Sequence, residues 1–287
     1  MSGIPEVFLQ KSEVAELNRL RSSFESLEAI EMALQVSVAS NSVAFGGFSD
    51  LRKRIAQKWR EHDHVVVREL PFCAEGTTGL LVAAACFREL KRYRGGKVVK
   101  HFRMSPWTKA LSHTLAGGFF HTDLNTSDMP PAATAMQCLE RDPGAPGYGQ
   151  LRVARIRELL LHLDMSYPDG RRFLTHQRVT MMNEMSPLGW EGAMVQGGVI
   201  RFHPESLLAA QKHLGRNPPE LELHLKKIHE AALEVSMPID LEPGEMLLVS
   251  NRRALHQRGA CTVRFRVFPG DYDARRVSVF HAHDEPA

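Results

Sequence analysis

Residues 119–124 read Phe119-Phe120-His121-Thr122-Asp123-Leu124 and place a histidine and an aspartate two positions apart in an apolar segment. In a β-strand, residues i and i+2 lie on one face, so the side chains of His121 and Asp123 would point the same way. His256 lies 135 residues downstream (256 − 121), after the apolar run 246–249. Together these three side chains would form the 2-His-1-carboxylate face that holds non-heme Fe(II) and leaves coordination positions open.

A His-x-Asp pair alone is common, and most of the 14 histidines of the chain are expected at the surface or in the core. The surrounding sequence therefore decides the interpretation. The informative segments are Met129-Pro130-Pro131-Ala132, Cys138-Leu139-Glu140, Pro146-Gly147-Tyr148-Gly149-Gln150-Leu151-Arg152-Val153-Ala154, Leu241-Glu242-Pro243-Gly244-Glu245-Met246-Leu247-Leu248-Val249 and Asn251-Arg252-Arg253-Ala254-Leu255-His256-Gln257-Arg258. With residues 119–124, and in the same order, they resemble the motifs of the taurine dioxygenase (TauD/TfdA)/clavaminate synthase-like oxygenases over roughly residues 60 to 270.

This resemblance implies an α+β fold, mainly a β core, built as a double-stranded β-helix (jelly roll) with flanking helices. It implies an enzyme that uses Fe(II), 2-oxoglutarate and O2, with His121, Asp123 and His256 as metal ligands. The expected reaction is hydroxylation of an unactivated C–H bond in a small molecule, such as a free amino acid or a secondary-metabolite precursor, with release of succinate and CO2. Related halogenases carry Gly or Ala at the carboxylate position, so Asp123 favours hydroxylation, with desaturation or cyclisation as rarer outcomes.

The resemblance also implies an arginine that holds the distal carboxylate of 2-oxoglutarate, on the strand after the distal histidine. Arg264 and Arg266 lie eight and ten residues beyond His256 (264 − 256; 266 − 256) and would share one strand face, opposite three apolar residues. A guanidinium can hold a carboxylate through two parallel hydrogen bonds. The interval from His256 to these arginines is shorter than usual in the family, which implies a tighter hairpin before their strand. Arg264 is favoured over Arg266. The alternative is that both arginines are solvated on an exposed sheet face.

Three further residues are candidate contacts. Gln150 stands where the family often has a threonine that touches the cosubstrate, and its amide could bind a carboxylate. Asn125 would share a strand face with Asp123 and contact substrate, or it could stabilise a turn. Arg258 could bind an acidic group of the substrate or fix the strand that carries His256.

Composition sets the limits of this interpretation. With 287 residues, 43% of them hydrophobic, the chain can bury a full core as one elaborated domain. We expect a helical part over 1–60, the jelly-roll core over about 60–270 and a C-terminal tail over 275–287, in which disorder is the default for His281-Ala282-His283-Asp284. The net charge of +3 is too small to indicate nucleic acid as a partner. No apolar run approaches the ~20 residues of a membrane span and no signal peptide is recognisable, so the protein is expected in the cytoplasm without a membrane partner.

Hydrophobic periodicity and turn residues give the expected elements. Helices are predicted within 11–35, 50–59, 76–93, 155–163 and 219–233, and strands within 64–70, 98–103, 119–123, 133–139, 151–154, 173–181, 245–250 and 261–268. No Gly-x-Gly-x-x-Gly follows a strand, which argues against a doubly wound dinucleotide-binding sheet. His62-Asp63-His64 is interpreted as a solvated turn.

Two other functions remain open from the sequence. One is a cupin-type metal oxygenase that does not use 2-oxoglutarate, which would need no carboxylate-binding arginine. The other is a non-catalytic jelly-roll binding protein, against which the intact set of His121, Asp123 and His256 argues. The sequence specifies neither the substrate nor the oligomeric state.

Overall fold

Two antiparallel-rich sheets, flanked by helices, organise this chain. The computed structural model describes residues 3–36, 45–110, 112–183, 186–215 and 219–286. Its helices are α1 (Lys11–Ser22), α2 (Leu27–Val36), α3 (Ser49–His62), α4 (Thr77–Cys86), α5 (Ile156–Ser166), α6 (Pro168–Thr175), α7 (Pro204–His213) and α8 (Pro219–Val235). Its strands are β1 (Glu6–Phe8), β2 (His64–Arg68), β3 (Lys100–Arg103), β4 (Ala133–Glu140), β5 (Leu151–Arg155), β6 (Arg178–Asn183), β7 (Ser186–Ala193), β8 (Val195–Gln196), β9 (Val199–Ile200), β10 (Met237–Ile239), β11 (Met246–Ser250), β12 (Ala254–Arg258), β13 (Val263–Val267), β14 (Asp271–Ala274) and β15 (Arg276–Ala282).

The larger sheet has six strands in the order β1-β2-β11-β4-β15-β3. Only the β1–β2 pair is parallel, and the other neighbours are antiparallel. Its central strand β11 is apolar along its length except for Ser250, and all five of its residues are buried. Such a continuous apolar run is typical of a strand that is covered on both faces.

The smaller sheet, β10-β5-β12, lies against one face of the larger one. A shared core cluster joins Met136 and Val279 of the larger sheet to Leu151 and Val153 of β5. Because side chains alternate between the two faces of a strand, the inward residues of both sheets meet in the layer between them. This layer contains the candidate site described below.

Helices cover the outer faces of both sheets. The residues of α1, α3 and α4, including Leu17, Trp59 and Leu80, pack in one cluster with Leu248 and Phe280 of the larger sheet. A second cluster joins α5, α6 and α8 to the buried outward residues of the smaller sheet, Ala154 and Leu255. The prediction of a mainly β core with flanking helices is confirmed at this level. No helix in the described ranges combines the length and the apolar character that crossing a membrane requires.

The prediction of a tail over 275–287, with disorder as the default at 281–284, is wrong. Residues Arg276–Ala282 form β15, which pairs with β4 on one side and β3 on the other. Both edges of its backbone are therefore hydrogen-bonded, and six of its seven residues are buried. Closeness to the chain end favours disorder only where nothing holds the backbone, and here two strands do.

Two predicted strands also differ from the structure. Residues 119–123 form only a single antiparallel bridge, His121 with His256, instead of a continuous strand. Residues 173–181 begin in α6, which ends at Thr175, and only then continue into β6. Pro168 at the first position of α6 favours helix initiation. Residues 173–175 therefore end a helix instead of beginning the predicted strand.

Asp63 is buried, so the interpretation of residues 62–64 as a solvated turn is wrong. Its carboxylate accepts hydrogen bonds from Arg253 Nε (2.6 Å) and Arg155 Nε (3.2 Å). Its backbone, in the left-handed region with φ of 59°, caps the end of α3, and its carbonyl accepts the N–H of Ser250 (2.8 Å). Asp63 thus joins α3 to β5 and to the turn before β12.

We expect Asp63→Asn to lower the free energy of unfolding by about 2 kcal/mol, because a partly buried charge pair loses its anion while asparagine still tolerates the left-handed backbone. Urea denaturation measures the change. The control is Asp50→Asn, whose exposed pair with Lys53 should contribute less than about 0.5 kcal/mol. Equal losses in both variants would contradict the assignment.

Candidate metal centre and active site

The three predicted metal ligands lie together between the sheets. One potential ligand atom from each of His121, Asp123 and His256 lies within 4.8 Å of the other two. Nε2 of His121 is 3.7 Å from Asp123 Oδ1, and Nε2 of His256 is 3.3 Å from Asp123 Oδ2. The backbones of the two histidines exchange hydrogen bonds of 3.0 and 3.1 Å, which fixes their rings at a centroid distance of 4.6 Å. The chain thus brings together residues 135 positions apart (256 − 121).

Asn251 fixes the backbone of Asp123. Its Oδ1 accepts the Asp123 N–H (2.6 Å), and its Nδ2 donates to the carbonyls of Asp123 (3.0 Å) and Pro131 (3.1 Å). Asn251 is the first residue of the Asn-Arg-Arg segment that precedes His256. The side chain therefore links the two parts of the chain that carry the potential ligands.

The carboxylate of Asp123 is oriented by two side chains that the sequence analysis did not select. Thr134 Oγ1 donates to Asp123 Oδ2 (2.7 Å), and His281 Nε2 lies 3.1 Å from the same oxygen. Burial would raise the pKa of Asp123, but His256 and His281 hold that pKa well below its usual range. The carboxylate is therefore ionised, as a metal ligand must be.

Tyr93 determines which nitrogen of His281 faces Asp123 as a donor. The Tyr93 hydroxyl is hydrogen-bonded to His281 Nδ1. Burial raises the pKa of Tyr93, so the phenol keeps its proton and donates it in this bond. His281 Nδ1 is then the acceptor, and Nε2–H donates to Asp123.

His121 is held in the neutral form that binds a metal. Its Nδ1 lies 2.9 Å from the carbonyl of Phe119, which assigns the ring proton to Nδ1 and leaves Nε2 with a free lone pair. Burial, followed by the neighbouring His256 and His203, lowers the pKa of His121 to about 3. Two imidazoles and one carboxylate with open positions are the donor set of non-heme Fe(II) oxygenases, and these residues fit that ion.

A cavity of about 180 Å³ lies beside the three potential ligands. Both sheets contribute to its wall, which is mainly apolar with a few charged groups. Its charged side chains among the described residues are Lys100, Asp123, Arg258 and Arg275, and its apolar ones include Phe102, Met104, Met136, Leu151, Val277 and Val279.

Arg275 is the buried guanidinium of this cavity. The residue is 4% exposed, and its guanidinium makes no hydrogen bond or ion pair with any other described residue. Burial lowers its pKa, but an arginine remains protonated in proteins. Asp142 attracts this cation, but no carboxylate of the described residues lies within ion-pair distance of it. A buried cation that lacks a direct anionic partner is costly, so a carboxylate from a ligand would be strongly favoured here.

Gly149 makes room for the Arg275 side chain. It has φ of +73°, and a Cβ at this position would lie 2.6 Å from Asp142 Cβ and 3.0 Å from Arg275 Cδ. We expect Gly149→Ala to lower the free energy of unfolding by about 1–3 kcal/mol and to displace the guanidinium. Thermal unfolding measures the first effect and the affinity for 2-oxoglutarate the second. Gly197→Ala, also at positive φ but with open space around it, is the control that shows backbone strain without a change of affinity.

The structure does not bring Arg264 and Arg266 to the cavity. Both lie on the β13–β14 hairpin with 72% and 61% of their side chains exposed. They form ion pairs with Asp273 (2.9 Å) and Asp271 (3.1 Å). The expectation of a tighter hairpin that brings these arginines to the site fails because the β13–β14 hairpin, which carries both of them, lies between β12 and β15 and pairs with neither sheet. Arg275 therefore follows His256 by 19 residues (275 − 256).

The other three candidates take different places. Gln150 lies outside the cavity lining and donates to the carbonyl of Pro146 (2.5 Å). Asn125 is buried, and its Nδ2 contacts Met181 Sδ (3.1 Å) outside that lining. Arg258 does line the cavity, and it donates to the carbonyls of Thr114 and Ala116 (2.9 Å each). Arg258 thus ties β12 to residues 114–116, in the segment before His121, as in the strand-fixing role that was one of the two considered for it.

Four residues that line the cavity were not predicted from the sequence: Lys100, Thr134, Arg275 and His281. One signal was available for the last two. Arg275, Val277, Val279 and His281 alternate with period two, which is typical of one face of a half-buried strand. Thr134 and Lys100 carried no such signal.

Comparison with known proteins agrees with this site. The Taurine catabolism dioxygenase TauD, TfdA family matches residues 39–268. A crystal structure of asparagine oxygenase in complex with Fe(II), 2S,3S-3-hydroxyasparagine and succinate is similar with a TM-score of 0.70 and 17% identity, over 96% of this chain and 93% of that one. A crystal structure of the non-heme iron oxygenase OrfP in complex with Fe and alpha-ketoglutaric acid has a TM-score of 0.67 and 14% identity, over 98% and 94% of the two chains. No curated protein matches the sequence.

At these identities the two structures establish similarity of fold alone. The family match covers well over half of the chain and includes His121, Asp123 and His256. It confirms the family that the motifs predicted, together with the cofactors that the family uses. The chain therefore belongs to the TauD, TfdA family and is an Fe(II)- and 2-oxoglutarate-dependent dioxygenase.

Proposed function

We propose that this dioxygenase hydroxylates an unactivated C–H bond of a small molecule, most simply a free amino acid, and releases succinate and CO2. In this proposal His121, Asp123 and His256 hold Fe(II), and Arg275 holds the distal carboxylate of 2-oxoglutarate. The observation that carries it is the convergence, in one cavity, of a complete 2-His-1-carboxylate set and a buried guanidinium without a partner among the described residues. Arg275 replaces Arg264 and Arg266 as the cosubstrate residue.

The metal ligands are prepared for an iron ion by their surroundings. The Phe119 carbonyl fixes the tautomer of His121, and Thr134 and His281 orient the carboxylate of Asp123. Partners of this kind are needed for metal affinity as well as for geometry. The iron supplies the reaction with O2, and the protein's part is to bind, orient and exclude water.

Arg275 would align the cosubstrate with the iron. It directly precedes β15, the strand that also carries His281, so both groups belong to one rigid sheet. Its planar fork suits a carboxylate bound through two hydrogen bonds. The apolar residues Leu151, Val277 and Val279 would limit water around the bound chain.

An amino-acid substrate is supported by the named compounds of the two structural relatives. One holds 3-hydroxyasparagine, and OrfP has been crystallised with (3S)-hydroxy-L-Arg. Asp123 supports hydroxylation over halogenation, because its carboxylate occupies the position that a halide would need. We also propose that the chain is one domain, since clusters of core residues connect each sheet to its helices, and that the facing sheets are the two halves of a jelly roll.

Anaerobic titration of the apoprotein with Fe(II) in the presence of 2-oxoglutarate tests this function. We expect a weak charge-transfer band in the visible that requires both components and disappears in His121→Ala. Iron binding without a band would contradict the use of 2-oxoglutarate and favour the cupin-type alternative. Failure to bind iron would contradict the metal site altogether and favour a binding protein.

The substrate class requires a second measurement. We expect L-asparagine, L-arginine or another free amino acid to stimulate succinate formation above the rate without substrate. The His121→Ala variant sets the background. Stimulation by none of the proteinogenic amino acids, in a protein that shows the charge-transfer band, would contradict the free amino acid and leave the oxygenase.

A further inference from the structure

We propose that the tip of the β13–β14 hairpin, together with Trp107, is the surface through which two copies of this chain form a reversible dimer. The inference concerns assembly and does not depend on the proposed reaction. It rests on an exposed apolar patch, on the balanced charges of the hairpin that carries it, and on the area that the patch offers.

The apolar patch consists of four large side chains that are exposed to solvent. They are Trp107, Phe265, Val267 and Phe268, with exposed fractions of 58%, 37%, 65% and 71%. The centroid of the Trp107 ring lies 6.2 Å from that of Phe265 and 6.0 Å from that of Phe268, and the two phenylalanine rings are 5.2 Å apart. Single exposed apolar residues are normal, but a contiguous group of this kind marks an interaction surface.

The hairpin is fixed at its base and exposed at its tip. At the base, Val263 and Tyr272 pack in a small cluster with Met104, and Arg103 donates to the carbonyl of Tyr272 (2.5 Å). Residues 264–271 are all exposed, and within the described part of the chain the two strands pair only with each other. An anchored base holds the tip in place, so a partner would pay little entropy to order it.

The charged residues of the hairpin balance one another. Arg264 pairs with Asp273 (2.9 Å), and Arg266 pairs with Asp271 (3.1 Å) and with Asp273 (3.2 Å). A nucleic acid, an anionic membrane or a strongly acidic protein would therefore find no net opposite charge on this hairpin. A second copy carries the same balance, and a two-fold axis would allow the arginines of each copy to face the aspartates of the other.

The size of the patch agrees with a weak dimer. Since an aromatic side chain buries about 150–250 Å², the exposed fractions of the four residues amount to roughly 400 Å² per copy. A specific interface of standard size takes about 800 Å² from each partner. The exposed neighbours Arg264, Arg266, Pro269 and Asp271 would add a polar rim, and with it the contact reaches the lower end of specific interfaces. We therefore infer a dissociation constant in the micromolar range.

The test is sedimentation velocity of the purified full chain across the micromolar range. The patch variants are Val267→Lys and Phe268→Ala. The matched control is Met165→Lys, which places the same charge on another exposed apolar residue, 81% exposed on α5 and outside the patch. Hydrogen exchange at low and high protein concentration locates the contact, and circular dichroism checks that each variant is folded.

We expect the wild type and Met165→Lys to convert from monomer to dimer, with new protection from exchange at residues 105–110 and 264–271. Val267→Lys sets like charges against each other across the two-fold axis, so its dimer should dissociate at least about tenfold more readily. Phe268→Ala removes apolar contact area alone and should weaken the dimer by about tenfold, the effect of losing an aromatic residue at the centre of an interface.

A wild type that stays monomeric at every concentration would overturn the inference and leave the patch to a different partner. Dimers that persist unchanged in both patch variants, or protection on another face, would overturn it as well. Should Val267→Lys fail to fold, Phe268→Ala decides the question. None of the four patch residues lines the iron-site cavity, so the charge-transfer band should be the same in every variant. The inference can therefore fail while the proposed function holds, and the reverse.

Discussion

Replacing Arg275 with glutamine is expected to weaken the binding of 2-oxoglutarate by about 100-fold, while the affinity for Fe(II) changes by less than about twofold. Loss of one partner of a buried charge pair costs about 2–5 kcal/mol, and each 1.4 kcal/mol corresponds to a factor of ten. The guanidinium of Arg275 is buried in the cavity wall with no other partner among the described residues, so this interaction has no substitute nearby. Anaerobic titration of the Fe(II)-loaded protein with 2-oxoglutarate, followed by the visible band, measures the change.

The matched controls are Arg264→Gln and Arg266→Gln. Both make the same chemical change on the exposed β13–β14 hairpin, where each arginine already has an aspartate partner. We expect them to bind 2-oxoglutarate like the wild type. Arg275→Lys should fall between, because a lysine keeps the charge but loses the planar fork. A large loss in Arg264→Gln with none in Arg275→Gln would restore the assignment made from the sequence.

The grouping of the potential metal ligands could be predicted from the sequence because its signals are local and ordered. His121 and Asp123 are two residues apart in an apolar segment, and His256 follows a strand within a long family motif. The pairing of distant segments followed from the resemblance. Even there, the predicted strand over 119–123 is a single bridge to His256, which suffices to align the rings.

The position of the cosubstrate arginine could not be predicted by counting residues from His256. The β13–β14 hairpin lies between His256 and Arg275 and adds residues to the count without joining either main sheet. The lengths of loops and hairpins vary more than those of the strands they connect. Residues 276–282 were predicted as part of a tail because they lie near the end of the given sequence, although Val277 and Val279 alternate as a strand does. Lys100 depends on pairing between residues 179 positions apart (279 − 100), for which a single sequence holds no signal.

Replacing Asp123 with asparagine is expected to weaken Fe(II) binding by more than about 100-fold. Asp123 supplies the only carboxylate of the cavity wall among the described residues. An asparagine would have about the same size, but it would remove the negative charge that attracts the metal ion and partly neutralises it. It would also turn an NH2 group either toward the metal or toward the donors Thr134 and His281. Competition with a chelator under anaerobic conditions measures the affinity, and near-UV circular dichroism checks that the fold is intact.

His281→Asn provides the graded comparison for Asp123→Asn, since His281 acts on the iron only through the carboxylate. Loss of an outer hydrogen-bond partner typically costs 10- to 100-fold in metal affinity, less than loss of the ligand itself. Because His256 and Thr134 remain, the carboxylate of Asp123 should keep its charge but lose one of the groups that hold Oδ2. We therefore expect weaker iron binding together with a shifted charge-transfer band, an effect on the electronic environment that a loss of stability alone would not produce. Wild-type affinity and an unshifted band in His281→Asn would show that Thr134 alone orients Asp123.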